Sequence, residues 1–169
     1  LALPCTNLRR KTMPAFQYLG GAHGRGLLES ALAAPLQIFA GRYLHRTIFD
    51  KAAALFRSLV KNHCLVDGNK RLALTTATVF LTLNEHMFYA PREEAVEFTL
   101  RIASAEGNVD LRYISKWFRR NSFKVFDVYS FQRNKKGVIS ITPKESGPIP
   151  KERLEDVNHF VASLFKSSL

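Results

Sequence analysis

The chain has 169 residues, 46% hydrophobic and 11% aromatic, so it can bury a core, which excludes a disordered tail. Its formal net charge of +11 and sequence pI of about 10.0 imply acidic partners: nucleotide phosphates, nucleic acid or an acidic protein. The two cysteines, Cys5 and Cys64, lie far apart, which excludes a disulfide framework and a C-x-x-C zinc site and fits a reducing cytoplasm.

No apolar run reaches membrane-span length, and the N-terminus lacks a signal-peptide core, so the expected location is cytoplasmic. The blocks Arg9-Arg10-Lys11, Arg119-Arg120 and Lys135-Lys136 are short and read as solvated surface.

In chain order, residues 1–19 carry Pro4 and Pro14 without a sustained period and read as irregular. Gly20 to Gly26 has four glycines in seven positions and reads as a flexible loop, either a linker or a segment that approaches a ligand or target backbone. Leu27 to Ala34 predicts a short helix stopped by Pro35. Leu36 to Ala40 is ambiguous, and Gly41-Arg42 breaks it.

Thr47 with Asp50 forms a capping-box pattern that opens a helix over about 48–60, with Phe49, Ala52, Ala53, Phe56, Leu59 and Val60 on one face. Leu72 to Leu83 is apolar nearly all round, which predicts the central, buried helix. A further helix starts with Pro91 in its first turn and ends at Gly107, and another covers Val109 to Arg120, burying Leu111, Ile114, Trp117 and Phe118.

Beyond it, Val125–Phe131 and Val138–Ile141 predict a hairpin around Asn134–Gly137. Pro143 to Pro150 is a breaker-rich linker, and Lys151 to Lys166 an amphipathic helix.

The chemistry concentrates in residues 61–73, between two apolar helical runs. Asp67-Gly68-Asn69 supplies the turn, but a turn needs neither His63 nor the cations Lys70 and Arg71 at a helix start, where the macrodipole favours anions. A loop feeding a helix N-terminus between such cations is suited to bind phosphate. A histidine can act as a general base, and a carboxylate beside phosphates is the usual hook for Mg2+. Gly68 permits close backbone approach, and Asn69 offers backbone or side-chain amide groups to an oxyanion. Residue types alone reach a nucleotide-using transferase, which works by positioning and charge stabilisation.

The stretch His63-x-x-x-Asp67-Gly68-Asn69-Lys70-Arg71 resembles the signature of the Fic/Doc superfamily in its Doc (death-on-curing) branch. Residues 26–35 and 49–55 also resemble stretches that flank that signature, so the likeness covers 20 to about 122. It implies a mainly α Fic/Doc-type helical bundle over 20–122, preceded by an irregular segment 1–19. Residues 123–169 would form a small C-terminal appendage of β-hairpin plus helix.

The resemblance further implies ATP as co-substrate with Mg2+, and modification of a hydroxyl on a target protein. His63 would be the catalytic base, Asp67 the metal ligand, and Gly68, Asn69, Lys70 and Arg71 the phosphate-binding residues. Lys70 stands where Fic enzymes that transfer AMP carry a small glycine. In Doc proteins that substitution goes with γ-phosphate transfer to a translation elongation factor, so kinase activity is expected before AMP transfer. Gly68 is closer to the Fic signature than the alanine of some Doc proteins.

Fic proteins restrained in cis carry a Ser/Thr-x-x-x-Glu-Gly/Asn helix. Here Ile102 precedes Glu106-Gly107, so a separate antitoxin is expected as inhibitor. Neither a membrane nor a nucleic-acid substrate is expected. A third reading is a non-catalytic basic binding module that keeps the loop only as structure.

Overall fold

The helix that the others pack around is α2 (Ile48–Asn62), which contacts α1 (Ala22–Ala33), α3 (Asn69–Leu83), α4 (Arg92–Ser104) and α5 (Leu111–Arg120). The computed structural model describes residues 17–105, 109–134, 139–144 and 155–159. A 3₁₀ turn (Ala34–Leu36) follows α1, with Pro35 inside it rather than just beyond the helix. A short hairpin pairs β1 (Ile38–Phe39) with β2 (Arg42–Tyr43), and β3 (Met87–Phe88) pairs antiparallel with β4 (Ser122–Phe123). Then come a turn of helix α6 (Val125–Val128) and the hairpin of β5 (Tyr129–Arg133) and β6 (Ile139–Pro143). The fold is mainly α, and no helix among the described residues is long and apolar enough to cross a membrane.

The capping box expected at Thr47 opens α2. Thr47 Oγ1 accepts from the Asp50 N–H at 3.1 Å, and Asp50 Oδ2 accepts from the Thr47 N–H at 3.1 Å. Ala52, Ala53, Phe56, Leu59 and Val60 are then fully buried, and the alanines let neighbouring helices approach closely. Phe56 lies 5.5 Å from the Phe118 ring, edge on, and 6.1 Å from Phe98, while Phe98 stacks on Trp117 at 3.9 Å.

The expectation that Leu72–Leu83 is the buried centre is overturned. Only Ala73, Ala77 and Leu81 of α3 are buried, and Val79 and Leu83 are 50% and 79% exposed. The helix tolerates the rim because Thr78 and Thr82 donate to carbonyls one turn back, at 2.9 and 3.0 Å. The more charged α2 takes the centre because its long cations reach past the core. Arg57 donates to the Val109 carbonyl at 3.1 Å, and Lys61 Nζ to the Ala105 carbonyl at 2.6 Å, where it satisfies the end of α4.

Asp50 also ties α2 to α5, since its Oδ1 accepts from Ser115 Oγ at 2.7 Å. Burial pushes its carboxyl up, but hydrogen bonds from Ser115 and Thr47 and the Arg119 charge outweigh this and hold it below the ordinary carboxylate value. A depressed folded-state pKa contributes stability that is present above the unfolded value and lost as pH falls through the folded one. Asp50→Asn is therefore expected to cost about 1 kcal/mol at neutral pH. The gap between variant and parent in urea midpoint should close as the titration is repeated below the ordinary carboxylate range.

Two other expectations shift. Pro91 is the N-cap of α4, which ends at Ser104, and α5 starts at Leu111 because Asp110 caps it by accepting from the Arg112 N–H at 2.9 Å. Gly107, expected to end α4, lies outside the described residues. The strand expected from Val125 begins only at Tyr129. Lys144 Nζ binds the Phe126 carbonyl and its N–H the Val128 carbonyl, which favours a helical turn there. Pro143 belongs to β6, not to a linker. Of the helix expected over 151–166, residues 155–159 are helical. Val157 is buried, and Asn158 Oδ1 accepts from the Tyr129 hydroxyl. The rest of it, residues 135–138 and residues 1–16 lie outside the described residues.

Candidate active site

Helix α2 ends at His63, whose backbone is left-handed, with φ 46 and ψ 48. That conformation costs a non-glycine residue on the order of 1 kcal/mol and turns the chain sharply out of the helix. Residues 64–66 then pass through an isolated β-bridge at Leu65. Along one edge, Tyr18 bridges Leu65, with Leu19 donating its N–H to the Cys64 carbonyl at 3.0 Å and Val66 its own to Gln17 at 3.1 Å. Along the other edge is the carboxamide of Asn69. Its Oδ1 accepts from the Leu65 N–H at 2.8 Å, and its Nδ2 donates to the Leu65 carbonyl at 2.7 Å.

Cys64 and Leu65 are buried in the core beneath. Burial pushes the Cys64 thiol up, so it is a packing group rather than a thiolate nucleophile.

The glycine-rich stretch expected as a flexible loop is instead the opening of α1, which starts at Ala22. Gly24 is buried against this segment, and a Cβ there would lie 2.5 Å from the Leu19 carbonyl oxygen and 2.6 Å from that of Cys64. The close approach that glycine allows is thus made to the chain's own backbone.

Gly68, at φ 87, is the N-cap of α3 and offers no side chain to cap it. The first-turn N–H groups of α3 therefore carry the positive end of the dipole with no side-chain cap. Lys70 and Arg71 follow, both exposed. Asp67 Oδ1 accepts from the Gly68 N–H at 2.6 Å, and Oδ2 meets the Arg71 guanidinium at 3.2 Å.

His63, Asp67, Gly68, Asn69, Lys70 and Arg71 all line one cavity of about 430 Å³. Its other wall is apolar, from Val60 and Leu74 on one side and Val96 and Leu100 of α4 on the other. Val96 and Leu100 are half exposed, and their part in the cavity was not legible in the sequence.

Among the described residues no three His, Cys, Asp or Glu side chains come together to hold an ion, so there is no preformed cage. A single exposed carboxylate, Asp67, beside an anion site matches Mg2+, which takes one or two carboxylates with phosphate oxygens and waters. The arrangement brings an imidazole, a carboxylate, two cations and a helix N-terminus around one cavity.

Residues 6–81 match the family model described as the Fic/DOC family. Over 59 residues the chain is 49% identical to "Toxin Doc" of Mycolicibacterium smegmatis (strain ATCC 700084 / mc(2)155). That match covers 35% of this chain and 45% of the relative, so the chain spans less than half the length of that protein. No solved structure matches the chain. Over residues 6–81 the chain is thus similar to the Fic/Doc family, and over 59 residues to a Doc toxin.

Proposed function

We propose that the chain is a Doc-like toxin of a toxin–antitoxin pair, acting in the cytoplasm, that transfers the γ-phosphate of ATP to a hydroxyl of a target protein of the translation elongation factor class. The carrying observation is that His63, at the end of α2, and the uncapped N-terminus of α3 with Lys70 and Arg71 line one cavity of about 430 Å³. That volume suits a nucleotide-sized ligand.

In this reading the His63 imidazole takes the proton of the target hydroxyl as its oxygen bonds to the γ-phosphorus. The bond to the bridging oxygen breaks and ADP leaves. The N–H groups of Gly68, Asn69 and Lys70, with the Lys70 and Arg71 side chains, hold the phosphate oxygens. Asp67 would hold Mg2+, which when bound neutralises phosphate charge. Asp67 must first leave the Gly68 N–H and Arg71, the groups that phosphate would use.

Lys70, exposed on the cavity rim, supports phosphate transfer over AMP transfer, because it fills and charges the place where AMP-transferring relatives keep a glycine. Gly68 favours the second reading, AMP transfer to a protein hydroxyl. Intact-mass spectrometry of extract proteins incubated with this chain, ATP and Mg2+ separates the two. A gain of about 80 Da is expected, and about 329 Da would establish AMP transfer instead.

A further inference from the structure

Asn69 stands in the middle of the anion site by sequence, yet its side chain is engaged elsewhere. Leu65 N–H donates to Oδ1 at 2.8 Å, Nδ2 donates to the Leu65 carbonyl at 2.7 Å, and the Cys64 thiol lies 3.6 Å from Oδ1. Both halves of the carboxamide therefore pair with one residue's backbone, as a neighbouring strand would. The opposite edge of the same segment is held by Gln17 and Leu19. Leu65 is thus held on both edges, by an isolated β-bridge to Tyr18 with its flanking backbone bonds on one and by the Asn69 side chain on the other. His63 comes immediately before residues 64–66 and Asp67 immediately after them.

We propose that Asn69 is a positioning residue whose carboxamide fixes the 64–66 segment, and through it His63, and that it does not ligate phosphate through its side chain. The inference rests on the reading of residues 63–71 as a nucleotide site and reassigns one member of it. The backbone N–H of Asn69, in the first turn of α3, remains available to an anion. A carboxamide that turned to phosphate would leave the N–H and carbonyl of buried Leu65 without these partners, which disfavours the exchange.

The test follows the Leu65 amide by NMR-detected hydrogen exchange in the full chain, with and without Mg2+–ATP. Protection that persists on adding Mg2+–ATP is expected, and its loss would overturn the proposal without any variant being needed. In Asn69→Ala, Leu65 protection is expected to fall at least about tenfold, while Mg2+–ATP affinity changes less than about threefold.

Growth arrest on expression should weaken in the same variant, so that binding is kept while turnover is lost. Loss of Mg2+–ATP affinity with Leu65 protection intact would show Asn69 to be a phosphate ligand and overturn the proposal. If the parent chain binds no Mg2+–ATP, the nucleotide reading falls. Leu65 protection in the free parent and variant then decides the positioning role alone.

Discussion

Replacement of His63 by alanine is expected to abolish growth arrest and to lower the rate of phosphate transfer by about 10²- to 10⁴-fold, the usual contribution of a positioned general base. Mg2+–ATP affinity should stay within about threefold of the parent, because the N–H groups and cations assigned to phosphate all belong to α3 and its N-cap. The fold should survive. His63 is exposed, and the segment after it is held by Tyr18, Gln17, Leu19 and Asn69, not by the imidazole. Calorimetric ATP binding paired with a transfer assay reads both halves. Undiminished arrest by the variant would return the chain to the reading of a non-catalytic basic module.

Phe56→Ala is expected to lower stability by about 3–5 kcal/mol, because the ring is wholly buried between Phe98 and Phe118 and its loss leaves a cavity. For a domain of this size that corresponds to a melting point lower by roughly 10 °C, read by circular dichroism. Leu83→Ala, at a position 79% exposed on α3, should shift the melting point by no more than about 2 °C. A larger loss from Leu83 than from Phe56 would show that α3, not α2, is the centre of the core.

That comparison marks where the sequence was and was not readable. The Thr47–Asp50 capping box is a local signal, confined to four residues, and the structure reproduces it. The central helix is not local. Counting apolar positions favours Leu72–Leu83, whereas burial follows which helix has neighbours on all sides, and α2 achieves that through Ala52 and Ala53 and through Arg57 and Lys61 reaching outward.

The short pairs β1–β2 and β3–β4 have two residues per strand, too few for a period to register. At the site, spacing alone gathered His63 and residues 67–71, which do line one cavity. The contacts of Gln17, Leu19 and Gly24 come from 40 or more residues away in sequence and had no local mark beyond a glycine that reads equally as a loop. The engagement of Asn69 with Leu65 was hidden for another reason. An asparagine at a helix start is equally able to meet an anion or its own backbone, and only geometry separates the two.

The most direct test of the central claim uses ATP labelled at the γ- or the α-phosphate, incubated with Mg2+, a cell extract and either the parent chain or His63→Ala. Label on a protein band from γ-labelled ATP alone, and absent with the variant, is the predicted result. Label carried over from α-labelled ATP would contradict phosphate transfer, and γ-label that persists with His63→Ala would contradict the role of His63 as the base.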